Sequence, residues 1–284
     1  MIPAKFDYTA PASVADAVAA LTQHGDDAKI IAGGQSLLPV LRLRLNAPEM
    51  VIDLGGIEGL SGISEAGDEL VIGAMTTHHE VATNPLVAEH AKVLALAAAE
   101  VADPQIRHRG TLGGALVHAD PAGDLGAPIR ALGATMVVTG PSGSRSIAAD
   151  DFFIDLFESS MGEDEILTEI RIPKHTGWGA HYEKFVRIKH QWAIVGVAAT
   201  VRMDGDTIAE ARVGLTNMGS TPLRARAVES ALAGGVASVE AVGAAAAAAA
   251  EGTNPPSDLN GGADYRQHLA RVLTRRAVLA AAGN

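Results

Sequence analysis

Two glycine pairs set the tightest limit on what this chain can fold into. Gly33-Gly34 closes the apolar run Lys29-Ile30-Ile31-Ala32 and continues into Gln35-Ser36, and Gly113-Gly114 ends the stretch Arg109-Gly110-Thr111-Leu112. Glycine allows positive φ and close approach of the backbone, so such pairs belong in turns beside strand or helix ends. Neither pair fits the dinucleotide fingerprint G-x-G-x-x-G or the P-loop pattern, which disfavours a Rossmann or Walker fold. What the pairs do offer is turned backbone N–H groups that can point at an anion, with the Ser36 and Thr111 hydroxyls as further donors. Two such loops from separate blocks suit a pyrophosphate. An ordinary tight turn is the competing reading of either pair alone.

Around the loops, short strand and helix signals alternate. Phe6-Asp7-Tyr8 reads as a strand, and Ser13 as the N-cap of a helix that stops at His24-Gly25. Lys29–Ala32 and Val51–Leu54 read as strands and Leu37–Leu43 as a helix. Gly62–Ser64 with Glu69–Gly73 predicts a hairpin, Thr77 caps a helix, and Val93–Glu100 is an alanine-rich helix. Leu132–Val138 and Glu165–Pro173 follow as strands. Beyond a boundary at Lys174–Trp178, strands Val195–Met203 and Ile208–Leu215 precede helices Ala225–Leu232, Ser238–Ala250 and Ala263–Leu279. The class is α+β in two or three blocks.

The totals remove several functions. Cysteine is absent, which excludes disulfides, Cys-ligated zinc, iron–sulfur clusters and thiol nucleophiles from this chain. Redox chemistry here would need an organic cofactor or a partner's metal, and no metal site is expected. A net charge of −11 argues against nucleic acid. No apolar stretch approaches the roughly 20 residues of a membrane span, and the first residues lack a secretory pattern. A cytoplasmic protein is expected, with peripheral association at the inner membrane face left open.

The loop His118-Ala119-Asp120-Pro121-Ala122-Gly123-Asp124 supplies carboxylates that can accept hydrogen bonds from ribose or adenine. An Asx turn at Asp120-Pro121 with a helix cap at Asp124 is the structural alternative, and both can hold.

Together, Ala32-Gly33-Gly34-Gln35-Ser36-Leu37-Leu38-Pro39, Ala102-Asp103-Pro104-Gln105-Ile106-Arg107, Gly110-Thr111-Leu112-Gly113-Gly114 and Asp120-Pro121-Ala122-Gly123-Asp124 resemble the flavoprotein (medium) subunits of the xanthine dehydrogenase and carbon monoxide dehydrogenase family. The resemblance runs from Met1-Ile2-Pro3 through Gly214-Leu215-Thr216-Asn217 to Arg275-Arg276-Ala277. It implies a two-subdomain FAD-binding domain of the vanillyl-alcohol-oxidase-like (PCMH) type over residues 1–175, divided at about 56, and a C-terminal α+β domain over 176–284. By the same resemblance Lys29, Ile31, Ala32, Gly33, Gly34, Gln35, Ser36 and Leu37 hold the FAD pyrophosphate. Gly110, Thr111, Gly113 and Gly114 form a second phosphate loop. Val101, Val117, His118, Asp120, Asp124, Leu167 and Lys184 complete the site, and Trp192 lies near the isoalloxazine ring, unless it is an ordinary half-buried tryptophan. Many relatives carry asparagine where this chain has Ala115, so a side-chain contact is missing there.

The resemblance further implies an electron-transferring subunit without catalytic acid–base residues of its own. A large subunit would carry the molybdenum-pterin cofactor and a small one the 2Fe–2S clusters, in a dimer of heterotrimers that serves an external electron acceptor. Carbon monoxide is the first expectation for the substrate; xanthine-, nicotine- or aldehyde-type dehydrogenases and a self-sufficient FAD-dependent oxidoreductase are the alternatives.

Overall fold

The computed structural model describes residues 2–284, and three sheets organise it. The first is parallel, with β1 (Asp7–Thr9), β2 (Ala28–Ile31) and β3 (Met50–Asp53) in the order β1-β3-β2. Parallel neighbours need crossover connections. The helix Val14–His24 supplies one: the Ser13 hydroxyl accepts from the Asp16 N–H at 3.1 Å, and Gly25 stops the helix at φ 53°. Its buried face, Ala17, Val18 and Leu21, packs with Ile52 and Leu54.

The second sheet holds β4 (Ile63–Ala66), β5 (Glu69–Gly73), β6 (Thr135–Gly140) and β7 (Gly143–Ala148). A small hairpin, β8 (Phe153–Asp155) with β9 (Glu158–Ser159), precedes β10 (Ile166–Pro173). The sheet order is β4-β5-β10-β6-β7, so β10 lies in the middle. Ile166, Leu167, Ile170 and Ile172 are buried for that reason. Six short helices between β5 and β6, from His78–Thr83 to Gly126–Ala131, cover the sheet.

The third sheet is an antiparallel meander of β11 (Gly179–Phe185), β12 (Val195–Asp204), β13 (Thr207–Thr216) and β14 (Leu223–Arg224). The helices Arg226–Leu232, Val239–Ala246 and Ala263–Ala281 cover it over a core that includes Val197, Val213, Leu269 and Leu273. This unit is joined firmly to the second, because Tyr182 and Ala198 are buried in the second unit's core. A Cβ on Gly214 would meet the Ala127 carbonyl oxygen at 2.3 Å, which puts β13 in backbone contact with the helix Gly126–Ala131.

Several elements differ from the sequence reading. β6 begins at Thr135 because Gly133, at φ 62°, closes the preceding helix while the Ala134 N–H donates back to Ile129. The helix predicted over Ser238–Ala250 is α-helical to Ala246 and 3-10 over Ala247–Ala250, the all-alanine turn tightening beneath the C-terminal helix. β7, β8, β9, β11 and β14 are additional strands. Among the described residues no helix is long and apolar enough to cross a membrane, and no group of three or more His, Cys, Asp or Glu could hold a metal ion.

Candidate functional site

Where β2 ends, the chain turns through Ala32–Ser36 into the helix Leu37–Leu43, at the carboxyl edge of the parallel sheet, where open α/β sheets commonly receive ligands. Gly34 adopts φ 73°, and the Gln35 side-chain amide donates to the Gly33 carbonyl at 3.1 Å, which fixes the curl. Among the described residues, no N–H from Ala32 to Leu37 donates to a protein acceptor, and Ser36 makes no capping bond. A run of backbone donors left free along one tight turn is a cradle for an anion.

The second loop is built differently. Leu112 and Gly113 donate their N–H groups to the carbonyls of Thr76 and Ala74 at 2.9 and 2.8 Å. The Gly114 N–H is taken by the Thr111 hydroxyl at 3.1 Å, which caps the helix Leu112–His118. The expectation of a second cradle of N–H groups is therefore corrected: these donors are committed within the protein. The Thr111 O–H proton remains available to a ligand.

The glycines here serve packing. A Cβ on Gly113 would sit 2.6 Å from Ala74, and one on Gly33 would sit 2.1 Å from the Arg109 carbonyl oxygen and 2.6 Å from the Gly110 Cα. The two loops touch each other, backbone to backbone, at Gly33.

Between them opens a cleft of about 430 Å³, within the usual range for small-molecule sites. From the first loop its wall includes Lys29 and the stretch Ala32–Leu37. From the second come Gly110, Thr111, Gly113 and Gly114, followed by Val117 and His118; Leu167 enters from β10. Ile31 is half-buried beneath the first loop, its Cδ1 reaching toward Gly34.

The remaining expected residues lie outside this wall. The Val101 carbonyl accepts from Arg107 at 2.9 Å. Asp120 forms the Asx turn, accepting from the Ala122 N–H at 2.9 Å. Asp124 caps no helix. It is buried, accepts from the Tyr182 hydroxyl at 2.7 Å, and pairs with Lys184 at 2.8 Å. Lys184 also donates to the Glu100 carbonyl at 2.9 Å. Burial pushes the Asp124 carboxyl up, against the pull of Lys184 and Tyr182; burial and the adjacent carboxylate push the Tyr182 phenol well above its usual value. Trp192 is 68% exposed, which corrects the half-buried reading, and it stands outside the wall of this cleft.

Sequence reasoning missed several wall residues, among them Met75, His78, Met161 and Glu165. Glu165 is held by a two-pronged pair with Arg145, both contacts 2.7 Å, which keeps its carboxyl below the usual range. Only Thr77-His78-His79-Glu80, a capping-box pattern, gave a local signal for any of them. Ala115 lines the wall and offers only a methyl group.

One stretch of free N–H donors, a threonine hydroxyl, a lysine and otherwise mostly apolar walls suit a phosphate-bearing cofactor with a flat apolar moiety. Residues 4–175 match the model of the FAD binding domain in molybdopterin dehydrogenase, and residues 180–281 match that of the CO dehydrogenase flavoprotein C-terminal domain. The chain belongs to this family of FAD-binding dehydrogenase subunits. It is 44% identical over 284 residues to the carbon monoxide dehydrogenase medium chain of Hydrogenophaga pseudoflava, covering 99% of this chain and 98% of that one. It is 39% identical over 275 residues to the nicotine 6-hydroxylase medium subunit of Paenarthrobacter nicotinovorans, covering 96% of each. Its fold matches a chain of the reconstituted CO dehydrogenase from Oligotropha carboxidovorans with a TM-score of 0.97 at 42% identity, covering 100% of this chain and 99% of that one. As in the family's other FAD subunits, residues 4–175 are the FAD-binding part of an oxidoreductase subunit.

Proposed function

We propose that this chain holds one FAD in the cleft between its glycine loops and serves as the electron-transferring medium subunit of a molybdenum hydroxylase. The observation that carries the reading is the row of free N–H groups from Ala32 to Leu37, opposite the Thr111 hydroxyl. Bound there, FAD supplies a centre that exchanges electrons singly or in pairs. The chain's part is to bind and orient. Ala32–Leu37 grip the pyrophosphate, Thr111 donates its O–H to the same groups, and Lys29 offsets their charge. Val117, Met161, Ile166 and Leu167 keep water from the flat ring system.

The buried Asp124–Lys184 pair and Tyr182 lock residues 4–175 to the C-terminal unit, so the wall of the cleft stays fixed. No residue of the cleft is assigned acid–base chemistry on a substrate. The substrate's site, the molybdenum-pterin cofactor and the 2Fe–2S clusters belong to large and small partner subunits, in a dimer of heterotrimers that passes electrons to an external acceptor in the cytoplasm. Carbon monoxide is the substrate favoured by 44% identity to a carbon monoxide dehydrogenase medium chain, against 39% to a nicotine 6-hydroxylase subunit.

The test is an absorption spectrum of the purified protein, with the released chromophore identified by chromatography. About one FAD per chain, released into the supernatant on acid precipitation, is expected from a site that grips by hydrogen bonds. A colourless protein that also fails to take up FAD, alone and with its partner subunits, would overturn the reading.

A further inference from the structure

His78 stands in the cleft wall at the seam between the two glycine loops. It opens the helix His78–Thr83 and is 5% exposed. The capping box fixes its backbone: the Thr77 N–H donates to Glu80 Oε2 at 2.8 Å, and the Glu80 N–H donates to Thr77 Oγ1 at 3.2 Å. Its own N–H donates to the Gly110 carbonyl at 2.9 Å. A Cβ on Gly110 would lie 2.8 Å from both Cδ2 and Nε2 of the imidazole, so the ring fills the side-chain space that Gly110 lacks. Gly110 is also where Gly33 makes contact, which sets the Nε2 edge beside the anion cradle.

The ring's other nitrogen, Nδ1, is buried without a partner. Burial, and secondly the Arg107 guanidinium, lower the imidazole to about 4, so it is neutral at physiological pH and carries one N–H. A hydrogen on Nδ1 would be a buried donor with no acceptor, a rarer vacancy than an unfilled lone pair. The hydrogen therefore belongs on Nε2.

We propose that His78 is a positioning residue of the cofactor site, donating a hydrogen bond from Nε2 to the phosphates of the bound dinucleotide. The inference rests on the FAD reading above and adds a side-chain donor that the loop motifs do not contain. Because the donor is uncharged, it holds the phosphates without competing for the role of Lys29.

The test compares His78→Gln, His78→Asn and His78→Leu in deflavinated protein, titrated calorimetrically with FAD and with ADP, which carries the pyrophosphate without the flavin. The glutamine amide nitrogen reaches the position of Nε2, whereas the asparagine amide reaches only that of Nδ1. Asn and Leu should bind both ligands about tenfold more weakly, with Gln near the parent, as expected for one hydrogen bond to a charged group. Should the Leu variant fail to fold, the Asn and Gln pair decides. Unchanged affinity in Asn overturns the proposal, and so does a loss confined to FAD with ADP unaffected. A parent protein that binds neither ligand overturns the FAD reading instead.

Discussion

A methyl group on Gly33 would sit 2.1 Å from the Arg109 carbonyl oxygen, well inside van der Waals contact, so Gly33→Ala can be accommodated only by parting the two loops. We expect this variant to lose bound FAD and to be destabilised by about 1–3 kcal/mol, the usual range for overpacking. Gly56 has nothing within 4 Å of its missing Cβ, and Gly56→Ala should retain both flavin and melting temperature. Flavin absorbance and thermal melts of the two variants check this.

His78 predicts a pH dependence. Its pKa falls from 6.5 to about 4 on folding, so the unfolded chain binds more protons in that window. The stability it contributes is present above 6.5 and is lost as pH falls toward 4, by up to about 3 kcal/mol. Melts between pH 7 and 4 should show that loss, and His78→Leu should flatten it. Removing Lys184 leaves Asp124 buried without its cation. Lys184→Met should destabilise by about 3–5 kcal/mol at neutral pH, and by less in acid, since burial already favours the protonated carboxyl. Urea unfolding at two pH values would show it.

The elements that were legible in the sequence are those with their own punctuation. The helix Val14–His24 lies between a serine cap and a glycine stop, Thr77 and Glu80 announce the next helix, and β10 alternates apolar and polar residues. β11 was not legible because only Tyr182 of its residues is buried, and Gly179–Phe185 otherwise shows no alternation. Its pairing with β12 makes it a strand, and that pairing is a property of distant residues. The site divides in the same way. Backbone cradles leave glycines in the sequence, whereas Met75, His78, Met161 and Glu165 reach the cleft through tertiary packing. The Asp124–Lys184–Tyr182 cluster shows the limit: its hydrogen bonds join a loop to a distant strand, and no local pattern announces such a pairing. At this scale the capping box is testable. Thr77→Ala should cost about 1 kcal/mol in a denaturant melt, with weaker flavin retention because the helix end that carries His78 frays.

At the scale of the whole molecule, the C-terminal unit is wedged into the unit before it. Tyr182 and Ala198 lie in the core of the second sheet, and β13 touches the helix Gly126–Ala131 through its backbone. A chain knitted in this way should unfold in one calorimetric transition; two separated transitions would contradict it. The first sheet meets the rest at the loop contact, where Gly33 rests on Arg109 and Gly110, and through its core, which takes in Ile166 of β10. Such a seam behaves like a locket, its clasp closed by fit and its hinge by a shared apolar core. The cradle belongs to one leaf and the threonine hydroxyl to the other, so a molecule held by both would be freed as the leaves part. The residence time of such a molecule would then follow how often this seam breathes, and any partner that grips both leaves at once would lengthen it without touching the captive at all.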